Sequence, residues 1–198
     1  MWRSGGAIGN QICATARLIT HGRARSLMDT YEAILTKLDV REFAGRRVND
    51  DVKTKILEAA RSTGSSMNTQ HWRFILVQEK NNLTILARDS TTGPWVKDAD
   101  FAIIINVDPK VPGSAIDAGR VLQDMELAAW NFGVVSRLFT GFKESELRRD
   151  FGIPQELKPA ATLGFGYPVR AIRGKKTRKP LEELVSVESY GRAFRPAK

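Results

Sequence analysis

Between Gly64 and Trp72 the chain reads GSSMNTQHW, a run that carries three hydroxyls, two side-chain amides, an imidazole and an indole. Asn68 and Gln70 stand two positions apart, so an extended segment directs both to one side. Each amide offers donors and an acceptor, which suits a ligand with several hydroxyls or amide-like edges. Ser65 and Ser66 can donate to such a ligand or cap local backbone, and Gly64 permits a tight turn. A polar loop that satisfies only its own backbone has the same composition. His71 has no acid or nucleophile beside it in the sequence, which fits an orienting or surface group better than a general base.

Cations flank this stretch at both ends of the chain. KLDVREF at 37–43 sets Lys37, Asp39 and Arg41 on alternate positions, and KKTR at 175–178 brings Lys176 and Arg178. Two basic clusters around a polar one fit a phosphate with an attached polyol, Lys as a point charge and Arg as a planar fork. Lys175 and Lys179 read as solvated surface charges.

The elements that must position these groups follow from periodicity. MDTYEAILTKL offers Tyr31, Ile34, Leu35 and Leu38 at helical spacing, and Asn49 is placed to cap the helix DDVKTKILEAARS. WRFILVQE reads as a strand with Trp72 packing at its start, NNLTILAR as a short helix, and FAIIINVD as a strand buried on both faces. SAIDAGRVLQDMELAAWNFG has apolar residues from Ala118 to Phe132 on the helical pattern, with Gly133 as its C-cap. VVSRLFTGF is a strand leaving into a turn, KESELRRDFG a helix ended by Gly152, and PAATLGFGYP a glycine-rich strand. No long lid separates these elements. The pattern is a single α+β domain with a C-terminal extension.

Composition sets the outer limits. A chain of 198 residues holds one sizeable core without a second domain, and its apolar runs are too short to cross a bilayer. One cysteine, Cys13, and two histidines exclude an internal disulfide and a thiolate or histidine metal cage within the chain, and point to a reducing, cytoplasmic setting. The net charge of +9 is concentrated in two acid-free segments, residues 1–28 and 169–180, so the remaining body is close to neutral. Residues 1–27 leave three readings open: an extension upstream of a start at Met28, an Arg-rich presequence, or a structured arm. The first is preferred, with the domain running from 28 to 198. A nucleic-acid-binding module driven by KKTRK competes, but its basic and aromatic residues do not interleave as a stacking platform requires.

Taken in chain order, the segments resemble the FMN-dependent nitroreductase family from about Met28 to Val185. KLDVREF is similar in spacing to the family's basic pair, Ser, hydrophobic residue, cation, variable residue and Phe; GSSMNTQHW is similar to Pro-Ser and Asn-x-Gln-Pro-Trp. AIDAGRVLQDMELAAWNFG resembles the long central helix, LFTGF the turn facing the flavin, and LGFGYP with KTRKPLEELV the Gly-Tyr-Pro turn and late Lys-x-Arg element. The chain departs by Lys37 for Arg, Leu38 for a second basic residue, Asp39 for Ser, Gly64 for Pro and His71 for Pro. Beside a phosphate, Asp39 is repulsive unless Lys37 or Arg41 pairs with it.

The resemblance implies a central, mostly antiparallel sheet flanked by helices, with a tail from about residue 180 wrapping a homodimer partner and FMN at the interface. It implies Lys37, Lys176 and Arg178 at the FMN phosphate, with Leu38 and Asp39 in the same binding run. Ser65, Ser66, Asn68 and Gln70 would line the ribityl chain, Arg41 the pyrimidine edge, and the Thr140 and Gly141 amides the reactive N5. Hydride would pass from NADH or NADPH through the flavin to a small acceptor such as a nitroaromatic or quinone in a ping-pong scheme, with no nucleic-acid or membrane partner. Because the flavin carries the redox chemistry, no protein acid, base or nucleophile is required. A member that binds flavin without nicotinamide-driven turnover is the alternative within the family.

Overall fold

The computed structural model describes residues 29–172, 174 and 176–196; the expected N-terminal extension 1–27 and Lys175 lie outside them. The apolar run at 101–107 is strand β3 (Phe101–Val107), buried along its whole length. It pairs antiparallel with β2 (Arg73–Val77) on one side and β5 (Lys158–Pro168) on the other. β5 pairs in turn with β4 (Val135–Phe139) and, at its end, with the two-residue β1 (Phe43–Ala44), completing a five-stranded antiparallel sheet.

Side chains alternate along β3, and that alternation builds two cores. Phe101, Ile103 and Ile105 pack with Ile56 and Ala60 of α2 (Asp50–Ser62) and Val121, Met125 and Ala129 of α4 (Ser114–Asn131). Ala102 and Ile104 face Leu83 and Leu86 of α3 (Lys80–Arg88), Val96 and Leu147 of α5 (Glu144–Phe151). Each buried Ile or Leu removes about 1.5–3 kcal/mol of apolar surface cost from water, which is why the sheet lies between two helical layers. α4 ends as its pattern predicts: Gly133 adopts φ 71 and the Val134 amide returns to the Ala129 carbonyl at 3.0 Å.

Two local expectations change. Asn49 precedes α2 but its side chain makes no capping bond. In α1 (Thr30–Thr36), Asp29 caps the helix by accepting from the Tyr31 and Glu32 amides, and the buried residue is Ala33. Tyr31, Ile34 and Leu35, which the spacing marks as a packing face, are 69%, 45% and 55% exposed, because α1 meets α4 through its other side. The tail carries a short helix α6 (Leu181–Leu184), with Leu181, Leu184 and Tyr190 exposed. Among the described residues no helix is long and apolar enough to cross a membrane.

Candidate functional site

The two basic segments meet. Lys37, just past α1, is buried with its ammonium 2.6 Å from Asp39 Oδ1 and 2.7 Å from Glu126 Oε1 on α4. Ser136 Oγ of β4 donates to the same Glu126 oxygen at 3.1 Å, and the Val40 amide donates to the Ser136 carbonyl at 3.0 Å, bridging this segment to the start of β4. Asp39 is therefore matched by Lys37. Lys176 returns from the far end of the sequence to donate to the Ile34 carbonyl of α1. Its ammonium loses proton affinity first through burial, then through Arg178 and Lys37, against Asp39 and Glu126. Arg178 is exposed and donates to the neighbouring Thr177 carbonyl at 2.8 Å.

Next to this cluster a cleft of about 290 Å³ opens between residues 38–42 and 168–172, lined by Leu38, Asp39, Arg41 and, from β4, Arg137. The sequence offered Arg41 through its motif and gave no motif for Arg137, which is a lone cation in the strand VSRLF.

A separate groove lies along the face of α4 that carries Glu126. Leu122, Gly119 and Ala115 follow at three- and four-residue steps and, with Thr140 and Phe142, line a cavity of about 670 Å³. Thr140 borders this cavity. The Gly141 amide instead donates to Thr92 Oγ1 at 3.2 Å, and a Cβ at Gly141 would collide with the Thr91 and Thr92 hydroxyls, so close approach explains the glycine.

The GSSMNTQHW stretch lies on the other side of α4. Ser65 Oγ accepts the Gln70 amide at 2.9 Å, Asn68 Oδ1 accepts from Gln70 Nε2 at 3.2 Å, and both amide side chains are exposed. Met67, Asn68 and Gln70 hold φ of 49°, 54° and 46°, a left-handed conformation costing about 1–2 kcal/mol for each such residue. What holds the turn is a buried carboxylate absent from the sequence-based set of site residues. Asp117 Oδ2 accepts the Ser66 amide at 2.8 Å and faces His71 Nε2 at 3.2 Å. The Asp117 carboxyl is held below its usual range by the Ser66 amide, then by His71, against the opposing effect of burial. His71 is thus a buried group facing an acid rather than a surface residue, and the ionised carboxylate assigns its proton to Nε2. Thr63 Oγ1 ties the end of α2 to Asp124, one further α4 carboxylate on this side, at 2.6 Å.

Asp117 and Glu126 are nine residues apart on α4, which is about 13 Å along the axis and half a turn around it. One chain therefore gathers Lys37, Asp39, Lys176 and Arg178 with the cleft and groove on one face. It holds Ser65, Ser66, Asn68 and Gln70 on the opposite face. Cations at one end, a long groove and a separate wall of hydroxyls and amides are a donor set that fits a phosphate-bearing polyol with a ring system.

An α+β protein with a five-stranded antiparallel sheet between two helical layers is the class that the fold defines. The Nitroreductase family model matches residues 34–88 and 83–167. The chain belongs to the nitroreductase family. It is 34% identical over 152 residues to a protein of Methanothermobacter thermautotrophicus provisionally named NADH dehydrogenase/NAD(P)H nitroreductase, covering 72% of this chain and 79% of that one. A nitroreductase family protein from Clostridium difficile 630 superposes with a TM-score of 0.74 at 28% identity, covering 82% of this chain and 99% of that one. An FMN-dependent nitroreductase from Clostridium difficile R20291 gives a TM-score of 0.72 at 22% identity, covering 78% and 96%.

Proposed function

We propose that this chain is an FMN-dependent oxidoreductase that draws on NADH or NADPH and reduces a small acceptor such as a nitroaromatic or a quinone. The observation that carries this reading is the basic cluster of Lys37 and Lys176 together with a groove along the same face of α4, in a chain whose relatives bear the names NAD(P)H nitroreductase and, for a solved structure of like fold, FMN-dependent nitroreductase. FMN, when bound, supplies a ring that accepts hydride at N5 from the nicotinamide and yields it to the acceptor in a ping-pong cycle. The chain's own residues bind and tune. Lys176 and Arg178 would face the phosphate, while Lys37 bridges Asp39 and Glu126 and offsets part of their charge. Leu38 would close the apolar side of the cleft, and Arg41 would bring positive charge to the pyrimidine edge, easing reduction there. Thr140 would border the ring.

Ser65, Ser66, Asn68 and Gln70 would serve the pocket of a second copy, because within one chain α4 separates them from the groove. Two apolar surfaces support a homodimer of this kind: Tyr31, Ile34 and Leu35 on α1, and Leu181, Leu184 and Tyr190 in the tail. The test is an absorbance titration with FMN followed by anaerobic addition of each nicotinamide. The expected result is a yellow protein whose flavin band bleaches with NADH or NADPH. A protein that takes up no FMN overturns the proposal, and flavin bound but reduced by neither nicotinamide assigns the chain to binding without turnover.

A further inference from the structure

A further cavity, of about 780 Å³, shares no lining residue with the cleft or the groove. Alternation puts His71 and Arg73 on one side of β2 and its lead-in, and the register of Arg73 with Asn106 sets Asn106 and Asp108 beside them. The segment after α5 completes the wall: Gly152 at φ 63 ends the helix, the Pro154 carbonyl accepts from Arg148 at 2.7 Å, and Ile153 and Leu157 supply apolar surface. Two buried acceptors in the lining residues have no donor. His71, 7% exposed, turns its Nε2 proton to Asp117, which leaves Nδ1 a lone pair. Asn106, 1% exposed, donates from Nδ2 to the Arg73 carbonyl at 3.4 Å, which leaves Oδ1. Neither atom has a hydrogen-bond partner among the described residues, although buried acceptors are almost always matched. The β3–β5 ladder shifts register between Ile105 and Asn106, an irregularity of the kind that re-aims a side chain. Asp108 and Glu156 line the same space without an ion-pair partner among the described residues, and Arg73 turns Nη1 to the Gln70 and Trp72 carbonyls at 3.2 and 2.8 Å.

We propose that this cavity binds an apolar molecule bearing an ammonium or amidinium group. Its N–H groups supply the donors that His71 Nδ1 and Asn106 Oδ1 lack, and its charge is met by the carboxylates of Asp108 and Glu156 against the one guanidinium of Arg73. A carboxylate ligand of the same shape meets two acceptors and two like charges instead. The apolar wall takes the body of the ligand, and the volume is that of a small-molecule site. His71 is what sets this chain apart here, since a proline at that position offers no side-chain acceptor. The site does not depend on the flavin reading.

The experiment titrates the full chain with benzamidine and, in parallel, with benzoate, by calorimetry with and without added FMN. Benzamidine should bind at a single site, benzoate more weakly by about tenfold or more, and FMN should leave the benzamidine affinity unchanged. Asn106→Leu removes an unmatched acceptor, so it should keep or raise the melting temperature while lowering benzamidine affinity by about tenfold or more, the loss of a charged hydrogen bond. Asp108→Asn combined with Glu156→Gln changes only the more exposed acids; it should lower the affinity by about threefold or more at an unchanged melting temperature, and it carries the test if Asn106→Leu does not fold. No benzamidine binding by the wild type, benzoate bound as tightly, displacement by FMN, or an affinity unchanged in either folded variant overturns the proposal.

Discussion

Asp117 and Glu126 are both buried carboxylates on α4, and they serve unlike purposes. Glu126 faces a cation: Lys37 sits 2.7 Å away, and the pair fixes the segment leading into the cleft. Asp117 faces the backbone amide of Ser66 and the ring of His71, and fixes a turn whose residues resist their conformation. Glu126, matched by a cation at 2.7 Å, anchors the chain; Asp117, matched most closely by an amide and an imidazole with Arg120 further off at 3.6 Å, shapes a loop whose Asn68 and Gln70 side chains stay exposed. The buried carboxylates hold their segments in place, while Arg41, Asn68 and Gln70 on those segments remain exposed.

Lys37→Met breaks the contrast at its stronger end. It leaves Glu126 buried with Ser136 as its remaining partner, and we expect a loss of about 3–5 kcal/mol in urea unfolding. Adding Glu126→Leu should recover most of that loss; a single-variant cost under about 1 kcal/mol would show that the pair does not tie α1 to α4. Asp117→Asn acts at the other end, with an expected loss of about 1–3 kcal/mol and faster amide exchange at Ser66, while exchange around Lys37 stays unchanged. Its pH dependence has a definite sign. The folded carboxyl titrates below the ordinary value of 3.8, so its contribution is complete above about pH 4 and disappears as pH falls through the folded value. The acid limb of the stability profile should therefore be shallower in Asp117→Asn than in the wild type. Ser65→Ala has the smallest effect, about 0.5–1.5 kcal/mol from the lost acceptor for the Gln70 amide, and its signature is exchange confined to residues 66–70.

Much of the scaffold is legible in local pattern. The continuous apolar run of β3, the helical stripe of α4 and the glycines 133 and 152 specify their elements within a few residues, because each signal is local and repeated. The pairings that define the site are not local. His71 meets Asp117 across 46 residues, and Asp117 lies within an amphipathic helix where an acid reads as solvated. A carboxylate at the border of an apolar stripe was the available signal, but its partner could not be named without the sheet register. Arg137 lines the cleft through an equally distant contact, since the pairing of β4 with the segment at Asp39 brings it there. The face of α1 shows the converse case, where the periodicity is clear and Tyr31, Ile34 and Leu35 are nonetheless exposed.

The central claim, that the flavin site joins the basic face of one copy to the polar turn of another, is tested most directly in mixed dimers. One chain carries Arg41→Gln and Lys176→Gln, and its partner carries Asn68→Ala and Gln70→Ala, with FMN stoichiometry measured by titration. The proposal predicts one site per mixed dimer with wild-type affinity, since one pocket then collects both sets of intact residues. A mixed dimer without any site of wild-type affinity would contradict it and place both halves of the pocket in a single chain.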